Sequence, residues 1–234
     1  VIAGVSAAAT RDAREAARDA VELGAGGLLV FPPPAFQGAL LDAEIVFRYH
    51  AAIADAIDVP LIAFQLQPSL GGVLFEPETL ERLLEIPSVV ALKEASFDAL
   101  RFTATRDLLR HLRPIALLTG NDNFILESFV LGAAGALIGM AAIATREQVA
   151  MVDAWRAGDV SRAEALYERL HPLIDAVFGR PPIRNYRASI KEGLVAQGVI
   201  PLSTVREPLL PISDRERREV QEALRALQVG EGVA

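Results

Sequence analysis

Lys93 is the residue of this sequence whose type and position most directly suggest covalent chemistry. It follows the apolar residues 89–92, a run of the kind found in strands that are buried on both faces of a parallel sheet. At the end of such a strand an amine is partly removed from water, which favours its neutral, nucleophilic form. Lys93 is therefore a candidate for imine formation with a carbonyl compound. A structural lysine that pairs with Glu94 or Asp122 is the alternative interpretation of the same pattern.

Lysine is otherwise scarce in this chain. Of the 23 basic residues, only Lys93 and Lys191 are lysines. Lys191 stands beside Glu192 in a helical pattern, and the two side chains are expected to form a solvated helix pair. Arginine is thus the usual basic residue of this chain, and the lysine at position 93 is an exception.

Other side chains could bind a ligand, but few could bind a metal. Asn121 and Asp122 come directly after the apolar run 115–119, where they could cap the following helix or face a pocket at the strand ends. The three histidines have no metal-ligand spacing, so no metal site is expected. There is also no glycine-rich phosphate loop of the Walker or Rossmann type.

These residues must be positioned by an alternation of short apolar runs and amphipathic stretches, with a repeat of roughly 25 to 30 residues. This alternation predicts parallel βαβ units, either in a closed barrel or in a doubly wound sheet. Six strands do not close an eight-stranded barrel. The predicted strands are residues 1–5, 27–31, 61–66, 89–93, 115–119 and 136–140. Four further helices are predicted at residues 145–157, 160–178, 183–197 and 212–229.

Composition excludes several classes of function. The net charge of −7 argues against nucleic acid or an anionic membrane surface as a partner, because neither would meet a positive field. The chain has no cysteine, which excludes disulfides and thiolate chemistry and is compatible with the cytoplasm. No apolar stretch is long enough to span a membrane, and residues 1–20 lack the pattern of a signal peptide. The sequence therefore predicts a cytoplasmic globular protein.

Four short motifs occur in the order and spacing of the dihydrodipicolinate synthase and N-acetylneuraminate lyase family. They are VIAGV at 1–5, LKEAS at 92–96, TGND at 119–122 and GALIG at 135–139. Residues 184–194 are similar to the penultimate helix of that family, and residues 206–211 to the proline-bearing segment before its last helix. The chain resembles this family over essentially all of its 234 residues.

The resemblance implies an α/β fold, a (β/α)₈ TIM barrel with a C-terminal helical appendage. On this basis residues 1–144 are barrel units three to eight, and residues 145–234 are the last barrel helix and the C-terminal helices. The first two βα units, including the loop that holds the substrate carboxylate, would lie upstream of the chain as given. Members of the family are commonly tetramers assembled from dimers, so a homo-oligomer, either dimer or tetramer, is expected.

The resemblance also implies a chemistry. Lys93 matches the family lysine that forms an imine with pyruvate or a related 2-oxo acid, which makes the neighbouring carbon an enamine nucleophile. This reaction needs no metal and no organic cofactor. Ile138 and Gly139 match the place where the family's backbone lines the imine site, although a glycine there could equally serve helix–strand packing.

The sequence departs from the family at its proton-relay residues. The family has a relay tyrosine at the end of the fifth strand. This chain has Phe64 or Gln65 there, with an ambiguity of one residue, and neither can act as an acid or base. Gln65 could hydrogen-bond a substrate, or Phe64 could be core and Gln65 a loop residue. Residues 31–34 are Phe-Pro-Pro-Pro where the family has Thr-Pro-Tyr-Tyr. Leu70 falls where dihydrodipicolinate synthases place an arginine for their second, carboxylate-bearing substrate.

Three hypotheses follow. The first is a lyase or aldolase that acts on a 2-oxo acid through Lys93, with Phe64, Gln65, Asn121, Ile138 and Gly139 as substrate-binding residues and a less polar second group. The second is a catalytically silent barrel of the same family that binds a small carboxylate or a protein partner. The third is an unrelated doubly wound binding protein, in which Lys93 would point to solvent.

Overall fold

In the part of the chain that the structure describes, six strands alternate with helices up to residue 136, and the elements after it are helices. The computed structural model describes residues 1–38, 41–179, 181 and 183–229, apart from the side chains of residues 184, 228 and 229. Residues 230–234 of the predicted appendage lie outside the described residues. The strands are β1 (Ile2–Val5), β2 (Gly27–Val30), β3 (Leu61–Leu66), β4 (Val89–Ala95), β5 (Ala116–Thr119) and β6 (Gly135–Ala136). The helices are α1 (Thr10–Glu22), α2 (Ala43–Ala54), α3 (Pro77–Leu84), α4 (Ala99–Leu112), α5 (Ile125–Val130), α6 (Thr145–Arg156), α7 (Val160–Phe178), α8 (Tyr186–Ala196) and α9 (Asp214–Val229).

The described strands form one parallel sheet in which each strand lies beside its neighbour in the chain, in the order β1-β2-β3-β4-β5-β6. This confirms the predicted α/β class with parallel strands. Within this sheet β1 and β6 each have one neighbouring strand. Branched aliphatic side chains fill the middle strands, with Leu61 and Leu92 almost fully buried, as expected for a sheet covered by helices.

The two faces of the sheet carry different residues because successive side chains of a strand alternate in direction. Gln65 of β3 donates to Thr105 of α4 (Nε2 to Oγ1, 3.2 Å), which identifies the face that packs against the helices. Glu94 lies beside Gln65 in the β3–β4 register and shares that face. Phe64 and Lys93, one residue earlier in each strand, therefore point to the opposite face.

The last strand is shorter than predicted. Residues 136–140 were expected to be extended, but Met140–Ala142 is a 3₁₀ helix. The amide groups of Gly139 and Met140 donate to the carboxylate of Asp122 over 3.2 and 2.8 Å. A carboxylate that accepts the first N–H groups of a helix stabilises the turn at the expense of the extended chain.

The chain divides into two compact units. The first is Val1–Asn121 with Leu131–Ala136, and it contains the whole sheet and α1 to α4. The second is Asp122–Val130 with Leu137–Ala234, and in its described part α7 packs against α6 and α9, while α8 packs against α9. The predicted division at residue 144 into barrel units and appendage stays a prediction. In the described residues no helix combines the length and the apolarity needed to cross a membrane.

An aromatic cluster around His50 fills part of the core of the first unit. The His50 ring is fully buried in contact with Phe36, Tyr49 and Phe75. Its Nδ1 lies 2.8 Å from the carbonyl oxygen of Val46. Its Nε2 has no hydrogen-bond partner among the described residues. Burial lowers the pKa of His50 from 6.5 to about 4, so the ring is neutral in the folded protein at neutral pH.

We expect this histidine to make the protein acid-labile. Because the pKa of His50 is lower in the folded state, its contribution to stability is present above pH 6.5 and is lost as the pH falls towards 4. The free energy of unfolding should fall by about 2 kcal/mol more between pH 7 and pH 4.5 in the wild type than in His50→Leu, since one pKa unit corresponds to about 1.4 kcal/mol. Urea unfolding at the two pH values measures this difference. Replacement of the exposed His111 by asparagine is the control, and an equal pH dependence in His50→Leu would contradict the expectation.

Candidate active site

Lys93 lies near the C-terminal end of β4, on the face of the sheet away from α4. In the sheet register it stands between Phe64 of β3 and Leu118 of β5. Its side chain is half-buried. The C-terminal ends of parallel strands are where α/β barrels and doubly wound sheets carry their ligand sites. The sequence motif therefore places the lysine where chemistry is expected in such folds.

An aromatic surface lies next to the amine. The Nζ atom of Lys93 is 4.2 Å from the centroid of the Phe64 ring, a contact that favours a cation over the ring face. Phe31 packs edge-on against Phe64, with centroids 5.0 Å apart and ring planes at 81°. Phe64, and not Gln65, is thus the β3 residue that faces Lys93. The strand register resolves the one-residue ambiguity of the sequence.

Gly120 supports the Lys93 side chain from the β5 side. A Cβ atom at position 120 would lie 2.7 Å from Lys93 Cε and 2.8 Å from the Cβ of Ala95. These distances are shorter than real Cβ contacts, so only glycine fits without a shift. The amide of Gly120 donates to the backbone carbonyl of Glu94 over 2.7 Å. The turn after β5 is therefore packed directly against the lysine.

Gln65 and Glu94 occupy the reverse face of the same strands, and both are fully buried. The Gln65 amide donates to Thr105 Oγ1 (3.2 Å) and to Glu94 Oε1 (3.5 Å), and its carbonyl oxygen accepts from the amide of Phe75 (3.1 Å). Both ends of the Gln65 side chain are thus engaged by protein groups. The structure brings Gln65 close to Glu94, and it does not bring it to the face that carries Lys93.

Glu94 is held by three N–H donors. Its Oε1 accepts from the backbone amide of Ser96 (3.0 Å) and from Gln65, and its Oε2 accepts from Asn121 Nδ2 (2.6 Å). Burial raises the pKa of Glu94, while the hydrogen bonds from Ser96 and Asn121 and the charge of Arg101 act in the opposite direction. The three N–H groups directed at its two oxygens stabilise the charged form of the carboxylate and act against the effect of burial.

Asn121 is part of the same buried cluster. Its Nδ2 also donates to the backbone carbonyl of Glu94 (3.0 Å), and its Oδ1 accepts from the amide of Phe97 (2.7 Å). Phe97 has a φ of 63°, in the left-handed region that non-glycine residues rarely adopt. Asn121 thus fixes a strained turn between β4 and α4, where Asp98 caps the helix by accepting from Leu100 and Arg101.

Ile138 and Gly139 belong to the second unit. A Cβ atom at Gly139 would lie 2.9 Å from Cζ of Phe178 and 3.3 Å from Cδ1 of Ile190. Glycine at this position is therefore required for close packing against α7 and α8. The Tyr186 ring stacks on Phe178 with centroids 5.0 Å apart, and burial raises the pKa of its hydroxyl.

Sequence reasoning passed over three residues that the structure makes prominent. Glu94 had been considered only as an ion-pair partner, Gly120 only as a letter of a motif, and Tyr186 not at all. Hints existed, since Glu94 breaks an apolar strand and Tyr186 is one of three tyrosines in the chain. Among the described residues, no group of three or more His, Asp or Glu side chains is arranged to hold a metal ion.

Comparison with known proteins gives a consistent assignment. The model of the dihydrodipicolinate synthetase family matches residues 1–227. A 4-hydroxy-tetrahydrodipicolinate synthase of Syntrophus aciditrophicus is 30% identical over 229 residues, which is 96% of this chain and 73% of that protein. These matches confirm the resemblance that the sequence motifs indicated.

Solved structures have the same fold. A putative dihydrodipicolinate synthetase from Pseudomonas aeruginosa superposes with a TM-score of 0.84 at 27% identity, covering 97% of this chain and 74% of that one. A prophage protein of E. coli K12 from the dihydrodipicolinic acid synthase family, solved in complex with pyruvate, superposes with a TM-score of 0.85. It is 22% identical, and the match covers 97% of this chain and 75% of that one.

Proposed function

We propose, from the premise that the chain belongs to the dihydrodipicolinate synthetase family, that it is a lyase or aldolase acting on pyruvate or another 2-oxo acid through a Schiff base on Lys93. The prediction of an enzyme of this family is confirmed by the family match over residues 1–227. The observation that carries the proposal for Lys93 is its position at the C-terminal end of β4, half-buried beside the Phe64 ring. The pyruvate bound to the E. coli relative is consistent with such a substrate.

The proposed reaction proceeds through an enamine. The neutral amine of Lys93 attacks the 2-oxo carbon, and loss of water gives an imine. Loss of a proton from the neighbouring carbon yields the enamine, which attacks the carbonyl carbon of a second substrate and forms a carbon–carbon bond. Water then hydrolyses the imine, releasing the product and the amine. The steps require no metal or organic cofactor, and cleavage follows the same path in reverse.

We assign the predicted binding residues as follows. Phe64 forms an apolar wall beside the imine, which suits a second substrate with a less polar group. Ile138 and Gly139 stay proposed substrate-binding residues on the basis of the family resemblance. Gln65 and Asn121 act from behind the strands, because their hydrogen bonds go to protein groups. Protons come from water or from the substrate carboxylate, since Phe64 carries no hydroxyl.

Borohydride trapping tests this proposal directly. The protein is incubated with pyruvate and reduced, and the added mass is located by peptide mass spectrometry. With only two lysines in the chain, an adduct can be assigned to Lys93, to Lys191 or to the N-terminal amine. An adduct on Lys93 supports the proposal. Failure with pyruvate and with a panel of larger 2-oxo acids would refute the imine mechanism.

The silent barrel remains the second candidate, because Phe64 stands where a hydroxyl would serve as proton relay. Replacing Phe64 by tyrosine places a hydroxyl near the amine, at a position whose ring already contacts Lys93. We expect Phe64→Tyr to increase the rate of imine trapping by about a hundredfold, at the low end of what general acid–base groups contribute. Phe31→Tyr is the matched control on the neighbouring ring. An unchanged rate in Phe64→Tyr would favour the silent barrel.

We further propose that the described sheet is part of an eight-stranded barrel, which two more βα units would complete beside β1 and β6. The proposal is supported by the open edges of these strands, because a parallel sheet with bare edges invites association. A cytoplasmic homo-oligomer, dimer or tetramer, is the corresponding proposal for the assembly. Light scattering coupled to size-exclusion chromatography measures its mass.

A further inference from the structure

We propose that Glu94 is a positioning residue for Lys93, a fixed anion on the reverse face of β4 that holds the strand end and sets the basicity of the amine. The catalytic importance of Glu94 rests on the proposed imine chemistry, but the electrostatic effect of Glu94 on Lys93 can be measured without any substrate.

The hydrogen bonds around Glu94 stabilise its ionised form. Gln65, Ser96 and Asn121 present N–H groups to its two oxygens. Protonation would weaken these bonds, because a neutral carboxyl oxygen is a poorer acceptor than a carboxylate oxygen, and the bond of 2.6 Å from Asn121 Nδ2 is the shortest of the three. Burial raises the pKa of Glu94, but short, charge-assisted bonds of this kind stabilise the anion.

Glu94 is also connected to Lys93. Glu94 follows Lys93 in β4, so their side chains leave the strand on opposite faces. The Asn121 amide that binds the Glu94 carboxylate also binds the Glu94 backbone carbonyl. That carbonyl also accepts from the amide of Gly120. Gly120 in turn packs so closely against the Lys93 side chain that a Cβ atom at position 120 would lie 2.7 Å from Lys93 Cε. Hydrogen bonds thus connect the Glu94 carboxylate to Asn121 and to the backbone that Gly120 also binds, and Gly120 packs against the lysine.

This connection has an electrostatic consequence for the amine. A buried negative charge near Lys93 favours any cationic state of the amine, including the protonated imine, because the interior screens charge poorly. Arg101 of α4 is the charged side chain known to act on Glu94. The other members of the Glu94 cluster are neutral. They are Gln65 of β3, Thr105 of α4 and Asn121 in the turn after β5. Within this cluster the negative charge therefore belongs to Glu94.

Competitive acetylation tests the proposal. Wild type and Glu94→Gln are labelled with a limiting amount of acetic anhydride over a range of pH, and the label on each lysine is quantified by mass spectrometry. Lys191, whose Nζ donates to the carbonyl of Thr204, serves as the internal reference. In Glu94→Gln the labelling midpoint of Lys93 should move to lower pH by about half a unit to one unit, a change of roughly three- to tenfold in reactivity. The midpoint of Lys191 should not move.

Two variants separate charge from structure. Thr105→Val removes the hydrogen bond from Gln65 at the far end of the cluster and keeps the Glu94 charge, so its midpoint should match the wild type even if the melting temperature falls. In Glu94→Gln combined with Asn121→Asp, the negative charge moves to position 121, one hydrogen bond away from its original place. The amide introduced at position 94 can then donate to the carboxylate introduced at position 121. This double variant should recover most of the wild-type midpoint, and it serves as the test if Glu94→Gln does not fold.

The outcomes are distinct. A shift in Glu94→Gln, absent in Thr105→Val and reversed in the double variant, supports the proposal whether or not pyruvate is trapped. An unchanged Lys93 midpoint in a folded Glu94→Gln protein overturns it, as does an equal shift in Thr105→Val. Borohydride trapping of the wild type reports separately on the imine itself. Absence of a trapped adduct would therefore count against the proposed function, and an unchanged labelling midpoint would count against the role of Glu94.

Discussion

Replacement of Lys93 by arginine is expected to abolish imine formation and to lower turnover of a 2-oxo acid by at least about a thousandfold. The reason is chemical, because the guanidinium group is not deprotonated in proteins and cannot act as the amine nucleophile. The positive charge above the Phe64 ring is retained, so the fold should be little affected. Borohydride trapping with pyruvate, together with circular dichroism and a melting temperature, measures both effects.

The matched control is the other lysine. Lys191 is also half-buried, and its amine donates to the backbone carbonyl of Thr204, so Lys191→Arg makes the same chemical change in the second unit. It should trap pyruvate at the wild-type rate. Equal loss in both variants would mean that lysine replacement disturbs the protein generally. Full trapping in Lys93→Arg would remove Lys93 from the mechanism.

Gly120→Ala is expected to lower the rate of imine formation by about a hundredfold, the order of loss that a displacement near one ångström can cause at a reacting group. The new Cβ atom would meet Lys93 Cε at 2.7 Å and the Cβ of Ala95 at 2.8 Å. The lysine must therefore move, and overpacking should also cost about 1–3 kcal/mol of stability. Trapping rates at a temperature where the variant is folded separate the two effects.

Gly27→Ala is the comparison for this prediction. Gly27 is also a strand glycine of the first unit, but a Cβ atom there would have its nearest neighbour, the carbonyl oxygen of Pro60, at an ordinary 3.5 Å. It should react like the wild type. If Gly120→Ala trapped pyruvate as fast as Gly27→Ala, the close packing of Gly120 would have no role in placing the amine.

Much of the fold could be predicted from hydrophobic periodicity. The strands Leu61–Leu66 and the start of Val89–Ala95 are where the apolar runs indicated, and α7 has the predicted bounds. The strand at residues 136–140 was overestimated because the decisive group is distant in sequence. The Asp122 carboxylate accepts the amides of Gly139 and Met140, and no local pattern reports that contact.

Lys93, the nucleophile that we propose, could be singled out from the sequence, but the arrangement around it could not. A lysine at the end of an apolar strand is a strong local signal. The choice between Phe64 and Gln65 could not be made from sequence, because it depends on the register between strands, and a slip of one residue reverses every side chain. The Glu94 cluster was hidden for the same reason, since Gln65 and Asn121 reach Glu94 from strands and turns up to 29 residues away.

The sequential order of the strands has a consequence for how the protein is made. Each strand of the sheet pairs with the strand that precedes it in the chain, and the strands begin at residues 2, 27, 61, 89, 116 and 135. During synthesis, β3 has therefore left the ribosome before β4 needs its partner, and the growing sheet can be extended from one edge without threading. Pairing with the preceding strand keeps the sequence separation of the sheet contacts shorter than pairing with a distant strand would, and a lower contact order favours faster folding. The two strands that flank Lys93 would then pair with β4 one after the other. β3 would pair as soon as β4 emerges, and β5 would pair after α4 has also been made.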